Sequence, residues 1–315
     1  MTDFSKGFTR REFTLGALMA VPVVGLAPSA FAKASDSAEA SSDASARQAK
    51  KVDGVQLGAI TYSFRSMPNP VDIIAAMKKI GLTEAEVMSG DVEKLAGAPA
   101  IGRGESREPL TKWRKAATPA TFQAVTKQFK DAGIEVRFLT YNMSGNTTDE
   151  EIEYAFNMAS SLGAKAITTS TQVSVAKRIA PFADKHKMRV GFHGHSNITN
   201  PDEFATPESF AAAMAMSPYH CVNLDIGHFT AANYDAVAYI KEHHARITNL
   251  HLKDRKKDQG ANVPWGEGDT PIKAVLQLLK KEKWDIPANI EYEYRGTDTT
   301  AEVAKCFEFC KAALK

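Results

Sequence analysis

The chain predicts an α/β fold, a closed (β/α)8 TIM barrel, on three observations. Apolar runs alternate with helical patterns eight times between residue 55 and the C-terminus. No second composition regime interrupts them, and no solenoid-type repeat is present. The last four apolar runs each end in side chains able to hold a metal: His193-Gly194-His195, Asp225-Ile226-Gly227-His228, His251-Leu252-Lys253-Asp254 and Glu291-Tyr292-Glu293. In a parallel barrel every strand C-terminus points to one face, so these groups converge. A carboxylate or imidazole closing an apolar strand is expensive unless something binds there. Eight units favour the closed barrel over a doubly wound sheet.

The N-terminus reads as an address. Thr9-Arg10-Arg11-Glu12-Phe13-Thr14-Leu15 sets paired arginines before a moderately apolar stretch, residues 15–26, and Ala30-Phe31-Ala32 suits cleavage before Lys33. It resembles a twin-arginine export signal. A membrane anchor is the competing reading, but the stretch is short and broken by Pro22 and Gly25. The expected organisation is a signal over 1–32, a flexible Ser/Ala-rich leader over 33–52 and the barrel over 53–315. The expected location is periplasmic or secreted, with the twin-arginine translocase a partner during export and no membrane association afterwards. Net charge is +2 with both signs intermixed, which gives no electrostatic footprint for nucleic acid. An exported chain with three cysteines would ordinarily pair two of them. Export in the folded state accounts for their staying free, and lets a metal be loaded beforehand.

The units follow in order. Strand 55–62 precedes helix 70–80, and strand 83–88 leads through an irregular segment to helix 119–132. Strand 134–140 leads to helix 148–162, 164–168 to 171–187, and 188–192 to 207–216. Strand 221–224 leads to helix 234–244, 247–252 to 271–281, and 288–291 to 300–314. Gly81, Gly133 and Gly163 stand between helix and strand, where a C-terminal cap belongs. The charged segment 91–115, with three glycines, predicts a loop over the barrel mouth.

Asp225 and His228 stand three apart, with Gly227 letting the backbone turn between them. The competing reading is a helix-capping carboxylate and an exposed histidine. Glu291 and Glu293 share a parity, so both face the barrel axis, where two carboxylates without a cation would repel. A divalent ion resolves that. The mixture of imidazole and carboxylate suits manganese, cobalt, magnesium or zinc. Glu86 is a further candidate for the pocket, or else a salt-bridged glutamate. Tyr62 and Phe64 could form an apolar wall of the pocket or simply pack. Trp265, ahead of Gly266-Glu267-Gly268-Asp269, could stack on a ring or anchor its loop.

The motifs Leu224-Asp225-Ile226-Gly227-His228, His251-Leu252-Lys253-Asp254, Gly266-Glu267-Gly268-Asp269 and Ile290-Glu291-Tyr292-Glu293 resemble the xylose isomerase-like TIM-barrel superfamily, the sugar phosphate isomerase/epimerase group. The likeness runs from about Val55 to the C-terminus and is supported by residues 58–65 and Glu84-Ala85-Glu86-Val87. It implies a metal held by Asp225, His251 and Glu291 with a strand-five ligand, and His228 on a substrate oxygen. The chain departs at strand five, where His193 or His195 replaces the usual glutamate. That weighs against a two-glutamate epimerisation and keeps a metal site.

The resemblance implies a metal-dependent isomerase or epimerase of a keto-sugar, acting through an enediolate. His193, Asp225, His251 and Glu291 are the expected ligands. Glu291, Glu293, His228, Lys253 and Glu86 are the catalytic candidates, and His195, Tyr62 and Trp265 the substrate contacts. A lyase or hydratase acting on a 3-keto-sugar or keto-glycoside shares the first half-reaction. Export argues for an unphosphorylated carbohydrate. A repair endonuclease of the superfamily would need an aspartate-x-histidine pair after strand seven, which is absent, and a sugar-binding module leaves the ligand crowding unexplained. A homo-oligomer is compatible with all of this.

Overall fold

The computed structural model describes residues 50–102 and 104–315. The export signal and the leader through residue 49 lie outside the described residues. Val52 and Val55 exchange backbone hydrogen bonds at 2.9 Å around Asp53 and Gly54, both at positive φ, so a tight turn already forms at the end of the expected leader.

The elements run β1 (Leu57–Ile60), α1 (Pro70–Ile80), β2 (Glu84–Met88), α2 (Ser89–Leu95), α3 (Glu108–Ala116), α4 (Pro119–Asp131), β3 (Glu135–Thr140), α5 (Asp149–Leu162) and β4 (Ala166–Thr169). They continue α6 (Val173–His186), β5 (Arg189–His193), α7 (Pro207–Met214), β6 (His220–Asp225), α8 (Ile226–Ala231), α9 (Ala236–His243), β7 (Ile247–Leu252), α10 (Ile272–Glu282), β8 (Ala288–Ile290) and α11 (Thr299–Leu314). The strands pair in sequence order, all parallel, and β8 closes on β1. This is the predicted barrel. Among the described residues no helix is long and apolar enough to cross a membrane.

Local chemistry explains the boundaries that were legible. Asn69 caps α1 by accepting from the Val71 amide at 3.2 Å, Pro70 opens it, and Gly81 ends it at φ 94°. Gly133 and Gly163 take positive φ after α4 and α5 in the same way. Along each strand alternate residues face the helices. Val87, Val190, Phe192, Leu224, Leu250 and Ile290 are fully buried there, each contributing about 1.5–3 kcal/mol.

The inward positions are unusual. Barrels normally fill them with branched apolar side chains. Here Glu84, Glu86, Thr140, Thr168, Asn223, Asn249 and Asn289 occupy them, all buried. Gly58 makes room, since a Cβ there would come within 1.7 Å of the Glu84 carboxylate. Burial, with the Glu86 charge beside it, pushes the Glu84 carboxyl well above its usual range.

Two expectations change. The segment predicted as a loop over 91–115 contains most of α2 and nearly all of α3. Its charges hold the two helices together: Arg114 forks onto Glu93 at 2.7 and 3.1 Å, and Tyr154 donates to Glu93 at 2.9 Å. The turn after β6 is itself a short helix, α8. Cys221, Cys306 and Cys310 are all free and buried.

Candidate metal centre and substrate cavity

A cavity of about 240 Å³ opens at the C-terminal ends of the strands. Its walls include Tyr62, Glu86, His193, His195, His228, His251, Lys253, Glu291 and Glu293. Asp225 stands directly behind them, with no exposed surface.

Inward parity delivers each group. Asn223 and Asp225 share one face of β6, with Leu224 on the other. On β7, His251 and then Lys253 follow Asn249 inward. Asp225 performs two tasks at once. One carboxylate oxygen accepts from the His228 amide at 2.7 Å and caps α8, as the competing reading supposed. The other lies 3.0 Å from the Lys253 ammonium, outside hydrogen-bond geometry. Gly227 lets α8 pass over β7, because a Cβ there would lie 2.6 Å from the Lys253 carbonyl oxygen.

Lys253 is a buried cation among carboxylates. Its Nζ lies 3.0 Å from Glu291, 2.6 Å from Glu293 and 3.1 Å from His228 Nε2. Burial opposes its charge, but Asp225, Glu291 and Glu293 together raise its pKa above the ordinary lysine value. His251 bridges two carboxylates, with Nε2 at 2.7 Å from Glu86 and Nδ1 at 3.0 Å from Glu291. Burial again opposes, and those two charges win, holding its pKa well above that of a free imidazole. Burial raises Asp225 to about 6, against the pull of Lys253. His228 and His193 are driven well below the usual histidine value, by burial first and then by neighbouring positive charge.

The charge balance is uneven. Four carboxylates, from Glu86, Asp225, Glu291 and Glu293, face Lys253, Arg255 and the protonated His251, which leaves one negative charge uncompensated. Ligand atoms of His193, Asp225, His251 and Glu291 lie within 4.8 Å of one another. His193 Nδ1 and Asp225 Oδ2 are buried with no hydrogen-bond partner among the described residues. Residual negative charge, converging imidazole and carboxylate donors and two orphaned polar atoms fit a divalent cation, which would enter as His251 gives up its extra proton. His193 belongs to this group. His195 stands apart, its Nε2 at 3.1 Å from the Ser170 hydroxyl and its Nδ1 at 3.4 Å from Glu203.

Several expected residues are placed differently from the sequence reading. Glu86 reaches the cavity floor, yet both its oxygens are occupied: Thr140 and Asn223 donate to one, and Asn249, Asn289 and His251 reach the other. A carboxylate so saturated is placed to orient His251, with its oxygens already engaged by protein donors. Trp265 lies outside the cavity, edge-on to Phe309 of α11 at 5.9 Å, and anchors its loop. Asp254 turns from the site to accept the amides of Gly266, Gly268 and Thr270, pinning that same loop. Phe64 is in the core, because a short 3-10 turn ends the strand alternation after Ile60, while Tyr62 stays at the mouth under the Arg65 guanidinium.

Sequence reasoning missed Arg255 and Glu203. Arg255 donates to His228 Nδ1 at 2.7 Å and to Ser196 at 3.0 Å. Its inward parity after Lys253 was a usable signal. Glu203 sits in an irregular stretch between β5 and α7, where no periodicity marks it.

The model of the xylose isomerase-like TIM-barrel family matches residues 94–313. L-ribulose-5-phosphate 3-epimerase UlaE of Escherichia coli is 30% identical over 99 residues, covering 31% of this chain and only 35% of that protein. Among solved structures, the IOLI protein with a bound zinc atom superposes with TM-score 0.61 at 13% identity, over 82% of this chain and 98% of that one. The probable 3-DHS dehydratase AsbF of Bacillus anthracis gives 0.58 at 16% identity, over 82% and 97%. At such identities the structures speak for the fold alone.

Proposed function

Because the chain belongs to the xylose isomerase-like TIM-barrel family, we propose that it is a metal-dependent isomerase or epimerase of an unphosphorylated keto-sugar. The observation that carries this reading is the convergence of His193, Asp225, His251 and Glu291 at one end of the barrel. These four residues would hold the cation. When bound, it supplies Lewis-acid polarisation of a carbonyl and its neighbouring hydroxyl.

The remaining groups divide the proton work. His195 is the best-placed base: Glu203 stands behind its Nδ1, and Nε2 faces the cavity beside Ser170. It would remove the α-proton and leave an enediolate. Glu293, whose side chain is 22% exposed and paired to Lys253, reaches the cavity from the β8 side; by taking a proton from Lys253 or solvent it would return one at the neighbouring carbon for isomerisation, or at the opposite face of the same carbon for epimerisation. Lys253 donates to developing oxyanions. Burial and the Lys253 charge keep His228 neutral, and its Nδ1 accepts from Arg255 at 2.7 Å, which leaves the ring proton on Nε2.

A second reading is a lyase or hydratase acting on a 3-keto-sugar, in which the same enediolate expels a β-substituent. The histidine at strand five in place of a glutamate, which weighs against a two-glutamate epimerisation, favours keeping it. The paired arginines of the N-terminus support export to the periplasm or beyond, and hence a substrate without phosphate. Incubation with keto-sugars in heavy water tests the scheme. Deuterium should enter the α-carbon, chelation should stop the exchange and the metal should restore it. Product analysis separates rearrangement from elimination. Absence of exchange on the whole panel, with no stoichiometric metal by elemental assay, would overturn the proposal.

A further inference from the structure

A second cavity, of about 340 Å³, adjoins the first and shares Met88 and Asn142 with it as common wall. It lies between the α2–α3 segment and the turn from β3 to α5. The geometry points to a subsite here for a second hydroxylated ring, so that the substrate is a keto-glycoside or keto-disaccharide and not a free ketose. This rests on the sugar reading proposed above and extends it.

Size is the first argument. The catalytic cavity, at about 240 Å³, falls below the range of roughly 300–1,000 Å³ that holds larger ligands. It suits one small ring, and a substituent on the β2–β3 side of that ring reaches the second cavity past Met88 and Asn142. The second argument is the lining. Tyr141 is buried but for its edge on this cavity, and its hydroxyl has no hydrogen-bond partner among the described residues. Asn142 uses its carbonyl oxygen on the Ser170 amide, at 2.9 Å, which leaves its NH2 group as a donor at the junction of the two spaces. Arg107 is exposed at the start of α3 and makes no ion pair among the described residues.

Charge decides the class of occupant. Arg114 is ion-paired to Glu93 and Glu151, so its charge is already compensated, and Glu151 also accepts the Thr148 amide. One unpaired guanidinium beside a carboxylate is a poor phosphate cage. Hydroxyl, amide, guanidinium and a tyrosine edge match a neutral ring bearing several hydroxyls.

The test compares kcat/KM on a 3-keto-disaccharide with that on the 3-keto-monosaccharide of its reacting ring. Arg107→Ala and Tyr141→Phe are the variants, since neither touches the catalytic groups and the phenylalanine preserves the buried ring. The disaccharide should be preferred at least about ten-fold. Each variant should remove about five- to ten-fold of that preference and leave the monosaccharide unchanged. Equal rates on both substrates, or equal losses on both, overturn the subsite. So does inhibition by inorganic phosphate that Arg107→Ala relieves, because the cavity then belongs to an anion. If neither sugar turns over, the catalytic reading fails by itself. Calorimetry with the disaccharide then judges the subsite: binding weakened by both variants sustains it, and no binding sinks it.

Discussion

The two halves of the barrel mouth differ in kind. Strands β5 to β8 contribute His193, His195, Asp225, His251, Lys253, Glu291 and Glu293, a tightly coupled set of charges and imidazoles. Strands β1 to β4 contribute Ile60, Tyr62, Met88, Thr140, Asn142, Thr168 and Ser170, which are neutral. Glu86 is the one acid from that side of the cavity, and it is spent on holding His251. On the proposed function, the contrast separates reaction from recognition across the cup. The later strands would carry charge where bonds change. The earlier ones offer hydroxyls, amides and a tyrosine suited to holding a sugar, and the second cavity opens on their side.

Breaking the charged half should have the largest effect. His251→Ala or Asp225→Ala should lower turnover on the order of a thousand-fold and abolish stoichiometric metal in an elemental assay. Retained metal with normal turnover would end the metal reading. His195→Ala should cost about 10²–10⁴-fold in kcat with metal content unchanged, which separates proton transfer from ligation. Glu86→Gln sits between the halves. It should weaken metal affinity by about 10–100-fold, as loss of an outer-shell carboxylate does, seen by competition with a chelator. Glu86→Ala, which strands His251 and the Asn249 and Asn289 amides, should also lower unfolding free energy by about 3–5 kcal/mol in urea melts. The smallest effect belongs to Trp265→Phe. It should leave kcat/KM within about two-fold and cost under about 1.5 kcal/mol of stability. A larger fall in kcat/KM at unchanged stability would put Trp265 back at the substrate.

Much of the fold was readable because its signals are local. Helix α1 was read to both ends, since Asn69, Pro70 and Gly81 act within a turn of their own positions. Strand β7 was read whole, and the shared inward parity of Glu291 and Glu293 followed from strand period alone. The helices α2 and α3 were hidden because Glu93 and Arg114 look like loop charges until they pair across 21 residues. Glu203 gave no signal at all.

The amino-acid pattern by itself determined the barrel, its strand order and the strand ends that carry metal-capable groups, because apolar period and capping operate over a few residues. Only the tertiary structure decided that His193 joins the cluster while His195 pairs with Glu203. It alone showed that Asp254 serves a loop and that Glu86 serves His251. Those outcomes depend on which groups meet in space, and Glu86 meets His251 across 165 residues of chain. A partner so distant leaves no trace in local spacing.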